Sequence, residues 1–213
     1  MTGTAFLLLT IALVAAAADW MAVHLEHKPL EYIAKPLTMV LLIGATLALD
    51  VNDPAVRTWF VVALVFCLAG DVFLMIPKDR FVLGLAAFLI GHIAYIVGMH
   101  VEGVETPRFF VGIVVVMAVL AVTGTIVLRG VRAGPDAKLA GPVVAYMFVI
   151  SAMVASAIGV GSLAAVVGAS LFYLSDALIA WNRFVKETRH AHIAIMVTYH
   201  LAQFGLVLSL VRG

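Results

Sequence analysis

Runs of roughly 17 to 22 apolar residues alternate with short polar connections along this chain. The pattern recurs eight times, over 3–23, 32–49, 57–76, 81–101, 108–128, 139–158, 161–182 and 190–211. At 1.5 Å per residue each run can cross a hydrocarbon core about 30 Å thick. Lipid leaves backbone amides no partner except one another, so runs of this kind predict helices. The predicted fold is all-α, a polytopic membrane protein of eight transmembrane helices forming one domain over 1–213. The sharpest break is Pro77-Lys78-Asp79-Arg80, which joins a helix stop to charge. Only Gly159 and Gly161 mark the border between the sixth and seventh runs.

Composition agrees with the pattern: of 213 residues 64% are hydrophobic and 12% charged, and the mean hydropathy is +1.16. A soluble domain of this length is excluded. The formal net charge of +1 is spread through short loops, not gathered into a patch, which argues against a nucleic-acid partner. Cys67 is the single cysteine and lies in an apolar run, so an intrachain disulfide is excluded. The first run ends in small residues as a signal peptide does, but no basic residue precedes it, so a retained first helix is expected.

Basic residues divide unevenly between the two sides. Arg57, Arg108 and Arg212 share the side of the N-terminus, three in all. Lys28, Lys35, Lys78, Arg80, Arg129, Arg132, Lys138, Arg183, Lys186 and Arg189 make ten on the other. The positive-inside rule then places both termini outside the cytoplasm. A faint internal repeat relates residues 1–106 to 107–213: Ala34-Lys35-Pro36 aligns with Ala140-Gly141-Pro142, Asp71 with Asp176 and His92 with His200. Four helices per half would make the repeats parallel, about an axis along the membrane normal.

Candidate chemistry begins with Asp71 and Asp176, carboxylates inside otherwise apolar runs. Such groups cost several kcal/mol in hydrocarbon and usually face a bundle interior or a wet cavity. Asp71 lies about 9 Å inside the end of the third run and Asp176 similarly in the seventh, and His92 and His200 lie about 16 and 15 Å deep in the fourth and eighth, so all four groups occupy one half of the bilayer. Tyr173, Asp176 and Arg183 share a face of the seventh helix, with Asn182 beside them; His192, Tyr199 and Gln203 form a stripe on the eighth, with His200 at its edge. Lys35 enters from the start of the second helix at the same level. Gly84, Gly91 and Gly98 recur at heptad spacing, a smooth seam beside His92. Trp20, Tyr32, Trp59 and Trp181 sit near the predicted interfaces and read as belt residues.

On these residues the chain resembles the YhhN-like lysoplasmalogenase family of multi-pass membrane proteins. The similar segments are Lys35-Pro36 with Met39, Gly70-Asp71-Val72-Phe73-Leu74-Met75, Phe81 through Gly84-Leu85 to Gly91-His92 and Tyr95, Leu171-Phe172, Ser175-Asp176, Arg183-Phe184, and Tyr199 with Ala202-Gln203. One departure is His200, where a second aromatic residue would be expected beside Tyr199. The resemblance implies hydrolysis of the vinyl ether bond of lysoplasmalogens to a fatty aldehyde and glycerophosphocholine or glycerophosphoethanolamine, with no metal or other cofactor. A lysophospholipid substrate and the surrounding membrane lipids are the implied partners. Vinyl ethers cleave when the distal alkene carbon is protonated and water captures the resulting oxocarbenium ion. That path needs a proton donor and a negative charge, which two carboxylates supply in the manner of paired acids in glycoside hydrolysis. Asp71 and Asp176 are the expected catalytic pair. His92, Tyr95, Tyr173, Ser175, Asn182, Tyr199, His200 and Gln203 are expected to support the pair, the water or the substrate, and Lys35 and Arg183 to hold the phosphate. Two rival readings stand beside this one. His92, His200, Asp71 and Asp176 would ligate a metal in an intramembrane lipid hydrolase, or the ionisable groups would belong to a small-molecule or lipid transporter.

Overall fold

A computed structural model describes residues 1–77 and 80–211; Lys78, Asp79 and Arg212, which enter the charge count above, lie outside the described residues, as does Gly213. Among the described residues there are eight α-helices and no strand: α1 (Gly3–His24), α2 (Lys28–Ala48), α3 (Pro54–Met75), α4 (Phe81–Glu102), α5 (Thr106–Ala133), α6 (Ala140–Val160), α7 (Leu163–Phe184) and α8 (Ala191–Leu208), with a 3₁₀ turn at Ala137–Leu139 leading into α6. All eight α-helices are long and apolar enough to cross a membrane.

Local chemistry explains where the helices depart from the apolar runs. α2 starts at Lys28, four residues before the expected 32. The His27 ring accepts the Leu30 N–H at 3.2 Å, and Pro29 sits in the first turn, where a missing N–H leaves nothing unsatisfied. α3 starts at Pro54 behind Asp53, whose carboxylate accepts the Ala55 N–H at 2.7 Å. α5 continues past the expected 128 to Ala133, carrying Arg129 and Arg132 in its final turns, where cations complement the helix dipole. The faint border after α6 is a firm one: Gly161 ends the helix at φ +77°, a left-handed conformation natural to glycine, and Ser162 caps α7.

Consecutive helices form the hairpins α1–α2, α3–α4, α5–α6 and α7–α8, and further packing of α2 on α3, α4 on α6, α5 and α6 on α7, and α8 on α1 closes them into a ring. The glycine seam of α4 faces α3: a methyl group added at Gly91 would lie 2.9 Å from the Cys67 sulfur, and one at Gly98 would lie 2.8 Å from the Phe60 ring. α7 and α8 approach through backbone alone, since a methyl group on Gly205 would fall 2.8 Å from the Gly168 Cα. Large apolar side chains such as Phe6, Val14, Ile33, Val114 and Leu163 point outward, as a protein solvated by lipid requires. Tyr32, Trp59 and Trp181 are exposed as belt residues would be. Trp20 is not one of them, because its indole N–H is turned onto α8, 3.1 Å from the His200 Nδ1 and 3.3 Å from the Met196 carbonyl oxygen.

Candidate active site

Side chains span the interior of the ring, and the two aspartates occupy neighbouring compartments there. Asp71, on the last turns of α3, is sealed at 1% exposure. The Lys35 ammonium of α2 lies 3.1 Å from its Oδ1, and the Tyr199 hydroxyl of α8 donates to its Oδ2 at 2.6 Å. The Tyr199 hydroxyl also lies 3.4 Å from the Met39 sulfur. Lys35 was expected at the interface as a phosphate ligand. Its place is inside, because α2 starts early enough to put Lys35 two turns deep, at 5% exposure.

Asp176, on α7, accepts a hydrogen bond from the Tyr146 hydroxyl of α6. The Nε2 of His92, from α4, stands 3.8 Å from the same carboxylate oxygen. Neither ring nitrogen of His92 has a hydrogen-bond partner, although the ring is fully buried. It is held edge-on by Tyr146 and Phe172, with ring centroids 5.3 and 4.6 Å away. The Asp176 side chain retains 11% exposure, because it forms part of the wall of a narrow cleft of about 60 Å³. Apolar side chains dominate the cleft: Phe81, Leu85 and Phe88 from α4, Val127 from α5, Val143, Met147 and Ile150 from α6, and Phe184 from α7. Thr123 and Tyr173, also in the wall, satisfy each other at 2.8 Å, and among the described residues Asp176 is the one carboxyl group that lines it.

No hydrogen bond joins the two carboxylates. The path between them runs through rings: Tyr199 on Asp71, Phe172 against Tyr199 at 5.4 Å, His92 against Phe172, and Asp176 beyond. Phe88 braces this layer edge-on against both Phe172 and Tyr199.

Several predicted residues have other positions. Tyr95 donates to the Gln203 Oε1 at 2.6 Å, a buried pair tying α4 to α8. Ser175 donates to the Ile195 carbonyl oxygen, tying α7 to α8, and Asn182 accepts the Thr188 N–H in the loop that follows α7. Arg183 lies at the mouth of the cleft, 3.0 Å from Asp136 and over the Phe81 ring. His200 is not brought to His92; it meets Trp20 and lies 3.9 Å from Asp19, a fully buried carboxylate of α1 whose oxygens have no hydrogen-bond partner. The four proposed metal ligands therefore divide among three places, and no three His, Cys, Asp or Glu side chains among the described residues converge to hold a metal ion.

Sequence reasoning missed Tyr146, Asp19 and the Glu31–His192 pair at 3.3 Å. Asp19 carried the signal that found Asp71, a carboxylate in an apolar run, but stood close to the end of that run. Tyr146 carried none: a lone tyrosine in an apolar helix has no period to betray it.

A sequence model of the YhhN family matches residues 30–210. The human protein named lysoplasmalogenase TMEM86B is 34% identical over 151 residues, covering 71% of this chain and 62% of the relative. The pig protein of the same name is 31% identical over 147 residues, 69% of this chain and 61% of its own length. A Mycobacterium tuberculosis protein named lysoplasmalogenase is 32% identical over 183 residues, 83% of this chain and 69% of the relative. The chain thus spans about three fifths of the mammalian relatives it matches. No solved structure matches it. With a family match that runs from the start of α2 into the last turn after α8 and takes in both aspartates, this chain belongs to the YhhN family.

Proposed function

We propose that this protein hydrolyses the vinyl ether bond of lysoplasmalogens, with Asp176 as the acid at the reacting carbon. The observation that carries the assignment is that Asp176 is the ionisable carboxyl group in the wall of a cleft otherwise suited to an alkyl chain. The names of the relatives support the substrate class. In the proposed reaction the Asp176 carboxyl proton passes to the distal alkene carbon, leaving a carboxylate and an oxocarbenium ion. Water adds to the cation and returns a proton to Asp176, and the hemiacetal collapses to aldehyde and glycerophospho-alcohol. Protons balance, and the acid is restored. Tyr146 orients the carboxyl group, and the His92 edge stands on its other side. Asp71 and the Lys35 ammonium form a buried pair 3.1 Å apart; its role here is that of an oriented dipole behind the ring layer, where little solvent screens it. The decisive test offers purified protein a vinyl ether lysolipid and its saturated ether analogue. Aldehyde is expected from the first alone; absence of aldehyde from both would refute the assignment.

The site lies toward the ends of α1, α3 and α7 and the starts of α2, α4, α6 and α8, away from the chain termini. With ten basic residues against three, we place this side in the cytoplasm and both termini outside it. A C-terminal fusion reporter active only outside the cytoplasm is expected to give signal, and a reporter active only inside is expected to stay silent. The opposite pair of results reverses the orientation.

A further inference from the structure

Next to the apolar cleft is a second recess of about 290 Å³ with opposite chemistry. Arg80 at the start of α4, Lys138 in the 3₁₀ turn before α6 and Arg183 at the end of α7 line it, together with Asp136. Phe81 lines both spaces, with one side of its ring under the Arg183 guanidinium at 4.9 Å and Phe184 against it at 5.6 Å. Asp136 holds Arg183 at 3.0 Å, which fixes the direction of one cation without cancelling the other two.

Arg183 follows Asp176 by seven residues of the same helix, about 10 Å along its axis. Starting from the recess, the surface therefore presents three cations, then an aromatic step, then a carboxyl group, then an apolar channel. A single-chain phospholipid with an ether-linked tail has the same order: an anionic phosphate, a short glycerol arm, the ether oxygen, a hydrocarbon chain. We infer that the recess of Arg80, Lys138 and Arg183 binds the phosphate of such a lipid and sets its ether bond at Asp176. This rests on the proposed reading of the cleft, and it replaces Lys35, which the Asp71 pair occupies. Guanidinium groups suit a phosphate because their forked donors meet two oxygens at once. The glycerol arm is short, so a phosphate held at the recess leaves the bond beyond it little freedom along the cleft.

Binding of a saturated ether lysophospholipid tests the inference without any chemistry. Titration calorimetry in neutral detergent would compare the wild-type protein with R80Q/K138Q, both of whose positions are solvent-exposed, and with the charge reversal K138E. The phosphate-free alkyl glycerol of the same chain is the control ligand, and glycerophosphate the competitor. The expected result is a Kd for the phospholipid raised at least about tenfold in R80Q/K138Q and further in K138E, where a carboxylate repels the phosphate. The alkyl glycerol is expected to bind all three proteins alike, and glycerophosphate to compete weakly, marking the lipid as the ligand. An unchanged phospholipid Kd, or an equal loss for the alkyl glycerol, overturns the inference. Competition by glycerophosphate as strong as by the lipid overturns it in favour of a free-phosphate site. Since the analogue is not cleaved, a protein that binds it through the recess but releases no aldehyde from the vinyl ether refutes the proposed reaction and leaves the recess standing.

Discussion

Asp176→Asn is expected to lower aldehyde release by roughly 10²- to 10⁴-fold, the usual contribution of a positioned general acid. The amide keeps the shape and can still accept the Tyr146 hydroxyl, so the unfolding temperature in detergent should change little. What it lacks is the proton that must reach carbon. Among the described residues no other carboxyl group lines the cleft; of the ionisable neighbours, Tyr146 already donates its hydroxyl to this position and His92, 3.8 Å away, is fully buried. Rescue by a neighbouring group is therefore not expected. The measurement is turnover of a vinyl ether lysolipid with saturating substrate, together with binding of the saturated analogue. Normal binding with lost turnover supports the assigned role; normal turnover removes Asp176 from the chemistry altogether.

Lys35→Met is expected to be the most damaging single change to stability. Lys35 and Asp71 are both almost wholly buried, at 6% and 2% side-chain exposure. Removing one member of such a pair typically costs about 3–5 kcal/mol, because the other is left as an uncompensated charge. Tyr199 remains on the carboxylate, but one neutral hydroxyl does not replace an ammonium. The double variant Lys35→Met with Asp71→Asn removes the orphaned charge and should regain most of the stability, read as the unfolding temperature. If Asp71 serves only architecture, that double variant will also regain turnover. The proposed field effect requires turnover to stay low. A Lys35→Met protein as stable as the wild type would mean that the pair contributes nothing to holding α2 on α3.

The extent to which this site could be read beforehand follows from what kind of signal each residue leaves. Eight membrane helices are legible because lipid imposes one rule on every span, and the eight runs correspond one for one to α1–α8. Asp71 and Asp176 are legible because a carboxylate in such a run is conspicuous. The depth of Lys35 was not, since it depends on where α2 begins; His27 and Pro29 start the helix among polar residues that an apolar window leaves out. The companionship of Asp176 with Tyr146, and of Asp19 with His200 and Trp20, depends on which helices become neighbours in the ring. Spacing along one helix does not encode that. Spacing did succeed where a single helix suffices: Tyr173, Asp176 and Arg183 were placed on one face of α7, and they line the cleft and its mouth in that order.

Tyr199 belongs to the final helix, yet its hydroxyl completes the coordination of a carboxylate from the third. Synthesis runs from the N-terminus, so seven spans are made before that hydroxyl exists. Until then Asp71 has Lys35 alone, and α1 has no α8 to seal Trp20 and Asp19. A molecule stalled after seven spans therefore holds both carboxylates, but its Asp71 lacks the Tyr199 hydroxyl and its Trp20 lacks the partners it meets on α8.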